Sequence, residues 1–410
     1  MKILLITHLV PYPPRGGVMI RNFNLLKEMA KKHEIHLVTF NQTAHFANAE
    51  EYEQSKAALS RYCKDMRVFE IPTDRSRLAW YFLLFRNLFS LTPYSVWRFH
   101  SRAMVKAIRD KMRTHNFDLM EIGTIALAEY ARLAPRMPKI LVHHNIESQL
   151  LLRRSRVVSD WVSKIYLSYQ AWKLKRYERS SSELFDYQTV CSAEDKDTLQ
   201  QFCPEARVVV VPNGVDIETF KPSGERETPN SLIYVGGLSW FPNRDAIMFF
   251  YREIWPLLKN ELPGVSFNHI GKGRDRELEE FSKRDNNFKL AGFVDDIRPL
   301  VGSASVYIVP LRVGGGTRLK ILDAMAMGKA IVSTSVGAEG IRVEHEKEIL
   351  IADDPEDFAR KTIDLLKNAE YRTRLGENAR KKAVGMYSWE GISPTLDDTY
   401  EEAIARRKTL

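Results

Sequence analysis

Apolar positions in this chain fall into short, near-continuous runs separated by amphipathic stretches. The first seven are KILLITHL (Lys2–Leu9), EIHLVTF (Glu34–Phe40), MRVFEI (Met66–Ile71), FDLMEI (Phe117–Ile122), KILVHH (Lys139–His144), DYQTVC (Asp186–Cys191) and ARVVVV (Ala206–Val211). Runs that stay apolar at consecutive positions predict strands buried on both faces, as in a parallel sheet. Between the first two, VMIRNFNLLKEMAKK puts Val18, Phe23, Leu25, Leu26 and Met29 at helical spacing. Strand, glycine-containing loop, helix and strand make a βαβ unit, and helical stretches separate most of the later runs.

The pattern then restarts. After Val211–Ser231, rich in Pro, Gly and polar residues, come LIYVGG (Leu232–Gly237), VSFNHIG (Val265–Gly271), FKLAGF (Phe288–Phe293), SVYIVPL (Ser305–Leu311), KAIVSTS (Lys329–Ser335) and EILIA (Glu348–Ala352). Two successive alternating series predict two doubly wound α/β domains, residues 1–211 and 212–387. Such sheets bind ligands at the carboxyl ends of their strands, so the expected site is the cleft between two such domains. Glycines fall at those strand ends: Gly16 and Gly17, Gly236 and Gly237, Gly271 and Gly273, and Gly314 to Gly316.

Composition narrows the class. At 410 residues, 44% hydrophobic and 28% charged, the chain has the balance of an ordinary soluble globular protein. Three scattered cysteines (Cys63, Cys191, Cys203) argue against a disulfide framework or a zinc site and for a reducing compartment. The apolar stretch Ile3–Val10 is too short for a signal peptide, contains His8 and lacks a small-residue cleavage site. No run reaches the roughly 18 apolar residues that span a bilayer; LAWYFLLF (Leu78–Phe85) stops at Arg86.

Net charge is +9 and uneven: residues 1–211 hold 32 Lys and Arg against 21 Asp and Glu, a balance of +11, leaving −2 for the rest. A basic half suits an anionic partner. The stretches 75–113 and 153–179 mix cations with Trp80, Tyr81, Phe82, Trp97, Trp161, Tyr166 and Trp172. Either they form an interfacial surface for anionic lipid, or the aromatics are core and the cations solvated.

The richest chemistry lies in VPLRVGGGTRLKILDAMAMG (Val309–Gly328). Glycine lets backbone amides approach a ligand, and a helix start offers unpaired N–H groups and partial positive charge to an anion. Thr317 is placed to cap that helix. Arg318 suits bidentate contact with phosphate and Lys320 a point charge. Asp323, one turn further in, leans back toward the same ligand, as an acceptor from sugar hydroxyls. The competing account is a tight strand-to-helix turn with a Lys320–Asp323 ion pair. Three glycines and two cations in one turn favour the phosphate cradle.

Other phosphate signatures are missing. No GxxxxGK[ST] occurs, and GKGRDRE (Gly271–Glu277) lacks the third glycine of the dinucleotide fingerprint. Asp195 and Asp197 spell D-x-D, but they follow Ser192 at a predicted helix start, where acids complement the dipole; no metal site is expected. LVHHNIES (Leu141–Ser148) sets His143 and His144 at a strand end, either in the cleft or as buried capping groups.

Taken in order, these pieces resemble glycosyltransferase family 4. The resemblance rests on PPRGGVMIRNFNLLKEMA, HHNIES, VVVPNGVDIETFKP, YVGGLSWFPNRDAI, GFVDDIRPLVGSASVYIVPLRVGGGTRLKILDAMAMGKAIV and TSVGAEGI. It implies the GT-B fold: two Rossmann-like doubly wound domains facing across a cleft. The donor nucleotide binds the second domain and the acceptor the first. A C-terminal helix (388–410), carried by YSWEGISPTLDDTYEEAI, crosses back to the N-domain.

It also implies roles. Gly16 and Gly17 sit by the donor phosphates or sugar, and His144, directly before the asparagine, touches the transferred sugar. Backbone around Val294 holds the base, and Asp323 falls where the family has a ribose-binding Glu. Two features depart from the family. The first of its paired acids is Gly315 here, and the Arg and Lys usual after the first C-domain strand are replaced, leaving Arg244 as a substitute and Arg318 and Lys320 as the better diphosphate ligands. Gly237, Gly271, Gly316 and Thr317 complete the expected donor set.

The expected activity is retaining, metal-independent transfer of a sugar from a nucleoside diphosphate sugar, UDP favoured, to a surface polysaccharide or lipid-linked glycan. His144, Arg318 and Lys320 carry it, and the nucleotide sugar is a substrate with no separate cofactor. The alternatives are a nucleotide-sugar epimerase of the same fold and a non-catalytic nucleotide-sugar-binding protein. The expected partners are the donor, the glycan or glycolipid acceptor and an anionic membrane surface, not nucleic acid. The expected location is cytoplasmic and peripheral, at the inner face of the cell membrane.

Overall fold

Each of the apolar runs forms a strand. The computed structural model describes residues 1–42, 46, 48–158, 160–314 and 316–409. The chain begins β1 (Lys2–Thr7), α1 (Gly17–Met29), β2 (Glu34–Asn41), α2 (Ala49–Leu59), β3 (Asp65–Glu70), α3 (Arg77–Leu88), α4 (Tyr94–Arg98) and α5 (Arg102–Thr114). It continues β4 (Leu119–Ile122), β5 (Lys139–Val142), α6 (Glu147–Val157), α7 (Trp161–Ser182), β6 (Tyr187–Val190), α8 (Ala193–Gln200) and β7 (Val208–Val210).

The second series is β8 (Ser231–Val235), α9 (Phe241–Phe249), α10 (Trp255–Glu261), β9 (Ser266–Ile270), α11 (Arg276–Ser282), β10 (Phe288–Gly292) and α12 (Arg298–Ser303). Then come β11 (Val306–Val309), α13 (Leu319–Ala326), β12 (Ala330–Ser333), α14 (Ser335–Ala338), β13 (Leu350–Ile351), α15 (Pro355–Lys367), α16 (Ala369–Tyr387) and α17 (Trp389–Thr409).

Two parallel sheets result. One has seven strands in the order β3-β2-β1-β4-β5-β6-β7 and the other six in the order β10-β9-β8-β11-β12-β13. The strand order turns back on itself between β1 and β4 in the first, and between β8 and β11 in the second. These are the switch points where doubly wound sheets leave a crevice at the strand ends. The chain divides into two compact units, residues 1–212 with 392–410, and residues 213–391.

Each unit closes its own core. In the second, Phe250, Trp255, Phe267 and Phe288 are essentially unexposed and stack against one another, each contributing up to about 3 kcal/mol of apolar burial. In the first, Leu4, Ile6, Val38, Met120, Ile122 and Leu141 line the sheet interior. Residues 392–410 are tied to that sheet by polar contacts. Tyr400 donates to the buried Glu121 carboxylate, Asp397 holds Lys32 and His33, each at 2.7 Å, and Arg407 meets Asp186 at 2.7 Å.

Candidate functional site

In the second unit the loops after β8 and β11, the two strands flanking the switch point, carry the glycines and cations. Gly236 and Gly237 follow β8. A Cβ on Gly236 would lie 2.5 Å from the Lys320 ammonium and 2.9 Å from the Asn243 amide. A Cβ on Gly271, after β9, would lie 2.4 Å from the Gly236 carbonyl oxygen, and one on Gly237 would lie 3.0 Å from the Lys272 carbonyl oxygen. These glycines let two loops stack backbone to backbone and leave room for a side chain from a third.

That side chain is Lys320, in the first turn of α13. Its ammonium donates to the Tyr234 hydroxyl oxygen at 2.8 Å and to Asn243 Oδ1 at 2.9 Å, and lies 4.0 Å from the centre of the Tyr234 ring. Tyr234 in turn donates to Asn243 Oδ1 at 2.7 Å, and Asn243 Nδ2 donates to the Gly237 carbonyl at 3.0 Å. Among the described residues no carboxylate pairs with Lys320, and the Lys320–Asp323 ion pair does not form. Burial, and then the neighbouring Arg318 charge, hold the Lys320 pKa well below its ordinary value. A half-buried cation whose hydrogen-bond partners are all neutral is costly to keep, and an arriving anion relieves that cost.

Arg318 is bound into the loop. It donates to the Gly316 carbonyl and, at 3.4 Å, to the Val336 carbonyl, and stands 3.7 Å from Glu339. Gly316 has φ +71° and Gly314 φ +144°, values that favour glycine, while Gly315 lies outside the described residues. The capping role expected of Thr317 is corrected. The N-cap is Arg318, without a side-chain cap bond, and the Thr317 hydroxyl has no hydrogen-bond partner among the described residues. The Ile321 N–H is bonded to the Arg318 carbonyl at 2.9 Å, and without a side-chain cap the N–H groups of Leu319 and Lys320 keep their capacity for a ligand.

Asp323 makes no side-chain hydrogen bond or ion pair with a described residue. Burial raises its carboxyl from 3.8 to about 7, so it can donate as well as accept near neutrality. Arg244 is committed elsewhere: it binds Asp275 at 2.6 and 2.7 Å, and Asp275 caps α11. Val294 is half-buried after β10, beside Phe293, which is 56% exposed under the Lys272 ammonium.

In the first unit, Gly16 is the N-cap of α1, and a Cβ there would meet nothing within 4 Å; packing does not require a glycine. His143 and His144 follow β5 and part company. His143 is buried, with Nε2 2.8 Å from Gln188 Oε1, and burial lowers its pKa to about 4. His144 borders a cavity of about 180 Å³ lined by His8, Val18, Tyr94, Thr124, Glu147 and Leu174 among others. Its Nε2 has no hydrogen-bond partner among the described residues. Burial first, then the charges of Arg21 and His8, hold its pKa well below 6.5, so the ring is neutral at pH 7.

The same cavity shows groups that sequence reasoning missed. Glu147 accepts from the Thr124 hydroxyl at 2.7 Å and has a pKa raised by burial. Behind it Glu178 receives the Ser148 hydroxyl at 2.5 Å, and burial raises its carboxyl to about 8. An acid inside the helical stretch WVSKIYLSYQAWKLKRYERS gave no sign of burial. Asp195 sits in the first turn of α8, capped by Ser192, with Asp197 just beyond it, and no group of three His, Cys, Asp or Glu among the described residues is arranged to hold a metal ion.

Comparison with known proteins adds to this geometry. The model of "Glycosyltransferase Family 4" matches residues 15–219 and that of "Glycosyl transferases group 1" matches residues 229–368. Over 388 residues the chain is 22% identical to an uncharacterized 44.6 kDa protein in the cps region of Klebsiella pneumoniae, covering 92% of this chain and 94% of that one. It is 30% identical over 245 residues to an MMP alpha-(1->4)-mannosyltransferase of Mycolicibacterium hassiacum, 57% of each chain. Among solved structures it is similar to HepE of Anabaena in complex with UDP, with TM-score 0.67, 17% identity, and coverage of 98% of this chain and all of that one.

Proposed function

The chain belongs to glycosyltransferase family 4, and on that premise we propose that it transfers a sugar from a UDP-sugar to a surface polysaccharide or lipid-linked glycan, with retention of anomeric configuration and without a bound metal. The observation that carries the reading is Lys320, a half-buried cation with neutral hydrogen-bond partners at the start of α13. Breaking the bond between the anomeric carbon and the β-phosphate oxygen leaves negative charge on the diphosphate. A fixed ammonium and unpaired backbone N–H groups stabilise that charge most as it develops, the task a metal ion performs in other transferases.

The other residues take supporting roles. Arg318 shapes the glycine loop and adds positive potential. Asp323 exchanges hydrogen bonds with the ribose, and backbone around Val294 receives the base. His144, neutral and with a free nitrogen, contacts a hydroxyl of the transferred sugar. The cavity beside it, with Glu147 and Tyr94, receives the acceptor. The UDP bound by HepE supports the choice of base, and the relative from a cps region supports a glycan acceptor.

A thermal-shift panel of UDP, GDP, ADP and CMP tests the donor. At about 100 times its dissociation constant a ligand stabilises by about 2.7 kcal/mol, and UDP is expected to give the largest shift. No shift with any of the four contradicts the reading. Release of free UDP that requires an acceptor separates transfer from epimerisation of the donor, and slow hydrolysis of the donor separates an enzyme from a binding protein.

A further inference from the structure

The first unit carries an apolar face that the described residues leave exposed. Along α3, Leu78, Tyr81, Phe82, Phe85 and Leu88 recur at helical spacing, and all are exposed, with Leu78 at 80% and Phe89 just beyond the helix at 81%. An exposed stripe of this kind inverts the usual rule that a helix buries its apolar face. On α7, Trp161, Ile165 and Trp172 are exposed at the same spacing. The two helices are fastened together: Tyr169 donates to the Leu88 carbonyl at 3.0 Å, Gln170 to Asn87 Oδ1 at 3.0 Å and Lys173 to the Asn87 carbonyl at 2.5 Å. Of the seven aromatics singled out in the sequence, Trp97 and Tyr166 are half-buried and Trp80, Tyr81, Phe82, Trp161 and Trp172 are exposed, so the reading in which all of them form core does not hold.

Charge identifies what covers this face. Exposed cations lie on the same helices and on the neighbouring α6: Arg86 on α3, Arg154 and Arg156 on α6, and Lys164, Lys175, Arg176 and Arg179 on α7. No acid occurs between residues 77 and 91, and α7 has only the buried Glu178. A second copy of the chain would bring two basic faces together. An anionic lipid surface offers apolar depth to the Phe and Leu side chains, an interface to Trp and Tyr, and phosphate to the cations. No helix among the described residues is long and apolar enough to cross a membrane. We propose that the α3–α7 face seats the protein on an anionic phospholipid bilayer, embedded to the depth of its aromatic side chains.

Flotation of the full chain with vesicles of equal parts phosphatidylglycerol and phosphatidylcholine, against phosphatidylcholine alone, tests this without any sugar donor, so its failure leaves the transfer reading standing. The expected result is co-flotation with the anionic vesicles, at least about tenfold weaker on neutral ones and weakened in about 1 M salt, where screening is short-ranged. It should be accompanied by a blue shift of Trp fluorescence from Trp80, Trp161 and Trp172. Phe82→Ser with Phe85→Ser and Phe89→Ser should abolish flotation, and Arg86→Gln with Arg156→Gln and Lys164→Gln should remove the preference for anionic lipid; both sets alter exposed side chains and should fold normally. Absence of wild-type flotation overturns the proposal. So does a concentration-dependent dimer that the Phe substitutions dissociate, because the face would then belong to a second copy.

Discussion

The Lys320 ammonium stands 2.8 Å from the Tyr234 hydroxyl oxygen, across 86 residues of sequence, and no carboxylate among the described residues pairs with it. An interaction kept for stability would pair that charge. Replacing Lys320 with Met should therefore leave the fold as stable as before or more so, because Tyr234 and Asn243 remain bonded to each other. Turnover should fall by about 10²- to 10³-fold, the loss typical of a missing transition-state charge donor. Denaturant unfolding and steady-state rates on the same sample check both halves.

Two neighbouring glycines should respond differently to alanine. At Gly236 the added methyl meets the far ends of Lys320 and Asn243, which can swing away, so the protein should fold and lose activity through a displaced ammonium. At Gly271 it meets backbone at 2.4 Å, and φ there is +157°; this variant should lose about 1–3 kcal/mol of stability. Equal effects at both positions would show that the loops, not Lys320, are what Gly236 serves.

The histidines should also separate. His144→Ala should lower turnover by about tenfold or more, the scale of one hydrogen bond lost in the transition state, with little change in nucleotide affinity. His143→Ala strips the Oε1 of the buried Gln188 of its partner and should cost about 1–3 kcal/mol of stability. If His143 is instead the variant that abolishes turnover, the role assigned to His144 is wrong.

Buried carboxyls make stability depend on pH. Glu178 rises from 4.5 to about 8 in the folded chain and Asp323 from 3.8 to about 7. Between those limits the folded state holds protons that the unfolded chain releases. These groups therefore contribute fully in acid, and their contribution is lost as pH rises toward 8, with a slope of at most about 1.4 kcal/mol per pH unit for each group. Glu178→Gln, which cannot ionise, should flatten the decline in urea midpoint between about pH 5 and pH 8. An unchanged slope would mean that Glu178 is not held protonated.

Chelation addresses the metal. With Lys320 and the α13 N-terminus in place of magnesium, EDTA should leave turnover within about twofold. Strict dependence on Mg²⁺ or Mn²⁺ would return attention to Asp195 and Asp197.

The strands were legible because parallel strands buried on both faces leave uninterrupted apolar runs such as KILLITHL and SVYIVPL. The ligand-facing strand ends were legible in outline, since glycines cluster after β1, β8, β9 and β11, but which of them flank the switch points depends on a strand order that the sequence pattern does not carry. What a one-dimensional pattern does not carry is the partner of a side chain. Tyr234 reads as one more apolar residue of a strand, yet its hydroxyl anchors Lys320. Arg244 reads as an available cation, yet Asp275 holds it. Thr317 has the composition of a cap, but the helix starts one residue too late for it to serve. The exposed stripe on α3 reads the same as a buried one, because spacing fixes a face without saying what it faces.

The central claim is that Lys320 exists for the diphosphate. Calorimetric affinities of UDP and uridine for the wild type and for Lys320→Met test it most directly. The substitution should weaken UDP roughly ten- to a hundredfold, the worth of a hydrogen bond to a charged group, and leave uridine unchanged. Equal losses for both ligands, or none for UDP, would contradict the account.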